Sequence, residues 1–117
     1  MITVRKEQMD ALSESMVHGF VRRMVVQLRS RFDATLHAAT DDQLAKLVAF
    51  GIERAKPYGV VSEGDVSRYL EYMVEYGHDF DKNPRTAWAQ SILTAPNTSG
   101  SKKMDDLDSF TTFELRK

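Results

Sequence analysis

Asp79, Asp81 and Asn83 alternate along a polar stretch, the spacing at which oxygen side chains can surround a hard cation such as calcium. The rest of an EF-hand loop is missing. Its sixth position is Pro84, where the sharp turn needs glycine, and its twelfth is Gln90, where a bidentate glutamate belongs. These acids therefore read as turn and capping residues. His18, His37 and His78 stand singly in different segments, with no i, i+4 pair to grip zinc and no Gly-x-Ser-x-Gly elbow beside them. Asp41-Asp42 and Asp105-Asp106 are paired carboxylates, but neighbours on a helix point about 100° apart, so they suit helix starts better than an acid/base couple. Cysteine is absent, which excludes disulfides, thiolate metal sites and a cysteine nucleophile. The expectation is a chain with no catalytic, cofactor or metal residues, and not an enzyme.

A nucleic-acid reading fares little better. Residues 62–76 could be taken for the second helix of a helix-turn-helix, yet they offer Arg68 alone among Glu63, Asp65, Glu71 and Glu75. Net charge is +2 over residues 1–39, −4 over 40–83 and +1 over 84–117, so no basic field exists. The longest apolar run, Leu47–Ile52, is too short to cross a bilayer, and the N-terminus has no signal-peptide core. Neither nucleic acid nor membrane is expected as a partner, and the cytosol is the expected compartment.

The elements that must position any surface are helical. Apolar residues at Met9, Leu12, Met16, Phe20, Met24 and Leu28 predict a long first helix from about Thr3 to Ser30. Each four-residue step overshoots a turn by about 40°, so the stripe winds around the helix. The successive residues Met24, Val25 and Val26 point in three directions, which predicts that this section is enclosed by later helices or by a second copy of the chain. Thr40 to Gln43 form a capping box ahead of a second helix that Pro57 and Gly59 should end. A third helix is expected over Glu63–Tyr76 with Val66, Tyr69, Leu70 and Met73 inward. A fourth is expected from Pro84 to Leu93 with Trp88 and Ile92 inward. Asn97–Ser101 reads as a linker, and Met104, Leu107, Phe110 and Phe113 as a weak last helix. Strand signals are nearly absent. The expected fold is all-α, a compact bundle of four to five helices around the long first one, with residues 1–95 as the domain and 96–117 as linker and tail.

Function then falls to surfaces. Tyr72 lies at the boundary between the two faces of the third helix, which makes it either a structural tyrosine or a ring that reaches solvent, flanked by Arg68, Glu71, Glu75 and Asp79 as a charged rim. Arg22 and Arg29 belong to an arginine-rich half of the first helix, which reads as a solvated or ion-paired face or as a docking patch for an acidic partner. These seven residues are the predicted partner-binding set, and a homodimer through the first helix is a second use of its apolar surface.

The run Tyr58-Gly59-Val60-Val61-Ser62-Glu63-Gly64-Asp65-Val66-Ser67-Arg68-Tyr69 continues through Gly77-His78-Asp79-Phe80-Asp81 to Pro84 and Trp88-Ala89. With the opening Val4–Ser13, it resembles small helical accessory proteins encoded in bacterial type VI secretion effector gene clusters. The resemblance covers residues 1–93 and implies an adaptor or co-chaperone that helps load an effector. An immunity protein that neutralises a neighbouring toxin is the alternative, and the resemblance carries no catalytic positions.

Overall fold

The computed structural model describes residues 14–115, and every regular element among them is helical. The predicted helix start near Thr3 and the apolar positions Met9 and Leu12 lie outside the described residues. Helix α1 covers Glu14–Arg31. Phe20, Met24 and Leu28 are buried along it, whereas Met16 is 44% exposed. Three steps of about 40° separate Met16 from Leu28, enough to carry the stripe off the core. Later helices of the same chain do not enclose the middle of α1, where Val26 is 70% exposed.

A short helix α2, Asp33–Leu36, turns the chain into α3, Asp41–Ala55. Thr40 accepts from the Gln43 amide while the Gln43 side chain accepts from the Thr40 amide, so the capping box is formed in both directions. Leu44, Val48, Gly51, Ile52 and Ala55 face inward. Gly51 is where α3 meets the next helix closely, since a β-carbon there would stand 2.3 Å from Leu70 Cδ2 and 2.8 Å from Met73 Sδ. A 3-10 turn at Lys56–Tyr58 and Gly59 at φ +78° then end the segment.

Helix α4, Glu63–Tyr76, has the predicted bounds, with Ser62 capping its start and Gly77 following its end. It is central: α3 packs on one side, and α1 and the last helix also reach it. Phe80 is buried in the following turn. The 3-10 turn Pro84–Thr86 leads into α5, Ala87–Leu93.

The stretch read as a linker holds the cap of another helix. Ser99 accepts from the Lys102 amide and starts α6, Gly100–Phe110, which runs on into a π-helical turn at Thr111–Leu115. Helix α6 folds back on α4 and α5, with Met104 and Leu107 fully buried. Rings connect the two ends of this core in one series. Tyr58 stacks near Tyr69, Tyr69 lies tilted against Phe80, Phe80 stacks on Tyr72 and Tyr72 on Tyr76, Tyr76 stands edge-on to Trp88, and Trp88 stacks on Phe110.

Candidate functional site

Four of the seven predicted partner-binding residues come together. Arg68, Glu71, Tyr72 and Glu75 line one polar cleft of about 330 Å³ between α4 and the end of α6, with Arg31 and Asp108 also in its wall. The i, i+3, i+4 and i+7 spacing on α4 accounts for this grouping.

The cleft is held by charges that satisfy one another. Arg68 donates to Asp108 at 2.6 Å, to Asp105 at 2.8 Å and to Asp65 at 3.1 Å, so one guanidinium fastens α6 to α4. Partial burial pulls its pKa down, but the hydrogen bonds to Asp108 and Asp105 outweigh this and hold it above the usual arginine value. Burial likewise pushes the Asp65 carboxyl up, and hydrogen bonds from Ser101, Ser62 and Arg68 bring it below the usual aspartate value. Glu71 accepts from Gln27 at 3.0 Å and pairs with Arg31 at 3.3 Å.

Tyr72 is the structural tyrosine of the two readings, not the solvent-facing anchor predicted for partner binding. It is 8% exposed because α6 lies across its face, and its hydroxyl donates to Asp108 at 2.6 Å with Thr111 Oγ1 at 3.2 Å. Burial, then the Asp108 carboxylate, raises its pKa. Asp79 lies apart from this cleft. It accepts from the Asn83 amide group at 3.4 Å and its carbonyl closes the turn to Lys82 and Asn83.

Asp81, singled out only as part of the calcium-like spacing, turns inward instead. It is fully buried, bound by Arg54 at 2.8 and 3.3 Å and by the Tyr58 hydroxyl at 2.7 Å. Burial and that hydrogen bond push the Tyr58 pKa up to about 12. The Tyr69 hydroxyl is buried nearby, within the field of the same carboxylate, and makes no well-formed hydrogen bond among the described residues. No local pattern distinguishes Asp81 from an ordinary loop acid, and its partners lie on other elements. No cluster of three His, Cys, Asp or Glu able to hold a metal occurs among the described residues.

The remaining two predicted residues separate from each other. Arg29 donates to Asp41 at 2.8 Å and to the Ala39 carbonyl at 2.7 Å, which ties α1 to the start of α3. Arg23 pairs with Glu63 at 2.8 Å and Arg31 with Glu71. Arg22 is exposed and forms no hydrogen bond or ion pair with another described residue. It stands at the rim of an open groove of about 560 Å³ between α1 and α3, lined by Val17, His18 and Val21 on one side and Ala45 and Ala49 on the other.

Known protein families, curated proteins and solved structures contain no match to this chain.

Geometry alone therefore ranks the two surfaces. The α4–α6 cleft spends its charges on joining α1, α4 and α6 of the same chain. The α1–α3 groove, of which the sequence shows Arg22 and the apolar row through Val17 and Val21 but not the facing wall, presents apolar surface and a cation unpaired among the described residues. Its signal was the four-residue step from Val17 to Val21, set opposite the step from Ala45 to Ala49. No described helix is long and apolar enough to cross a membrane.

Proposed function

We propose that this chain is a non-enzymatic adaptor or co-chaperone that binds another protein in the cytoplasm and assists effector loading in type VI secretion. The observation that carries the binding role is the α1–α3 groove. Arg23, Arg29 and Arg31 of α1 are paired within the chain, yet among the described residues Arg22 is left beside half-buried valines and two alanines. An apolar strip edged by unspent charge is the anatomy of a protein interface, in which the strip contributes affinity and the rim selects the partner. The secretion context rests on the resemblance carried by Tyr58–Tyr69 and Gly77–Ala89.

Deleting the gene in its native host and measuring effector export against self-intoxication tests this reading. Lost export without intoxication supports the adaptor. Intoxication with export intact, relieved when the chain is co-expressed with the toxin, identifies an immunity protein and overturns it. Self-association through α1 is the competing use of the same surface, and sedimentation across a micromolar concentration series separates it from partner binding.

A further inference from the structure

We infer that the groove between α1 and α3 receives an amphipathic helix of the partner, with a carboxylate of that helix set against Arg22. This rests on the adaptor reading above and specifies the ligand of its surface. Both walls are helices whose backbone groups are already hydrogen-bonded, so there is no strand edge to extend, and recognition must use side chains. The link from Arg29 to Asp41 joins the end of α1 to the start of α3, so the two helices run antiparallel and leave a furrow along their length. Such a furrow accepts the ridge of a third helix. Ala45 and Ala49 make the α3 wall low, which allows that helix to approach closely. Val17 and Val21 lie about 6 Å apart along α1 at 1.5 Å per residue, so they meet apolar residues on one turn of the incoming helix.

Charge fixes the occupant further. Arg22 lacks an intrachain partner among the described residues, and His18 beside it also faces solvent. On α3, Lys46 is paired with Asp42 and Glu53 with Lys56, so the groove's uncompensated charge among the described residues is positive. A second copy related by a two-fold axis would bring its own Arg22 to the same contact and add repulsion. An acidic helix from a different protein is complementary where a copy is not.

The test uses two helix-stabilised peptides of about 15 residues, identical in their leucine face, one flanked by glutamates and the other by lysines. Binding to the full chain is read by fluorescence anisotropy at low salt. The acidic peptide is expected to bind more tightly than the basic one. Arg22→Glu is expected to weaken the acidic peptide about five- to tenfold and to strengthen the basic one, the range for reversing an exposed charge contact. Ala49→Arg, which fills the groove, is expected to remove both, with circular dichroism showing that each variant remains helical. Equal binding of the two peptides, or indifference to Arg22→Glu, overturns the acidic-helix inference while leaving a protein-binding groove in place. Failure of both peptides to bind, or binding that survives Ala49→Arg, overturns the groove as the site. A mass that rises with concentration and is returned to monomer by Ala49→Arg assigns the groove to a second copy instead. The export experiment is read separately, so loss of the adaptor reading is not confused with any of these results.

Discussion

Arg54 reaches across 27 residues of sequence to hold Asp81, a carboxylate with no solvent exposure, through hydrogen bonds of 2.8 and 3.3 Å. The pair joins α3 to the turn that follows α4, and Tyr58 completes the cage from the intervening 3-10 turn. Removing one member leaves the other charge in a site built for two. Arg54→Ala is therefore expected to cost about 3 kcal/mol in urea unfolding. The double variant Arg54→Met with Asp81→Leu should lose markedly less, because it buries no orphaned charge. A double variant as unstable as Arg54→Ala would show that the pair itself, and not its desolvation, supplies the stability.

Two tyrosines on one helix separate a useful hydroxyl from an idle one. Tyr69→Phe removes a buried hydroxyl that makes no well-formed bond and is expected to leave stability unchanged or raise it by up to about 1 kcal/mol. Tyr72→Phe breaks the 2.6 Å bond to Asp108 and should cost about 1–2 kcal/mol, a charge-assisted bond being worth more than a neutral one. Thermal melts of the two variants check the order.

Glycine substitutions should act in opposite directions. A β-carbon at Gly100 would lie 2.1 Å from the Gly59 carbonyl oxygen and 3.0 Å from the Val60 amide nitrogen, and backbone cannot swing aside as a flexible side chain can. Gly100→Ala is expected to lift the start of α6 and cost about 2–3 kcal/mol. Gly64, in the first turn of α4, has nothing within 4 Å of the same position. Gly64→Ala is expected to stabilise by up to about 1 kcal/mol. Equal effects at the two sites would contradict the close backbone approach at Gly100.

The chain is expected to be labile in alkali. Tyr58, Tyr69 and Tyr72 all have pKa values raised above the ordinary 10.0, chiefly by burial. In the unfolded chain they ionise near that value, while the folded chain keeps its protons, so the folded state binds more protons and stability falls as pH rises. For Tyr58 the window runs from 10.0 to about 12. Asp65 acts in the opposite sense: its lowered pKa contributes stability above the ordinary 3.8 that is lost on acidification. Phenolate absorbance followed together with circular dichroism should show ionisation and unfolding in step above the ordinary tyrosine value of 10.0. Ionisation that precedes any loss of helix would place these rings nearer to solvent than their burial indicates.

What could be read from sequence was local. Ser62 and Gly77 bracket α4, and Thr40 with Gln43 opens α3, because caps act on backbone groups three or four residues away. What could not be read depended on contacts between distant segments. Tyr72 sits at a face boundary on its own helix, and only α6, whose Asp108 lies 36 residues further on, decides that it is buried. Asn97–Ser101 has a linker's composition, but Gly100 is needed there for close approach to Gly59, and Ser99 caps the helix that follows. The arginines of α1 look alike in sequence. Arg29 is separated from Arg22 by Asp41 and the Ala39 carbonyl across the α1–α3 junction. The candidate surface was thus half legible: its apolar spacing was visible, but which arginine the described residues leave over was not.

The series of stacked rings has a consequence for synthesis. Its last members, Trp88 and Phe110, meet at 5.0 Å, and the Asp108 carboxylate that seals Tyr72 comes from the same final helix. A polypeptide made from its N-terminus therefore displays Tyr72, Tyr76 and Trp88 without their cover until residues 100–111 have followed. At about 5–20 residues per second that interval is on the order of a second. During it the rings of α4 and α5 lack their α6 contacts, so α6 completes the fold as a late-arriving lid on them.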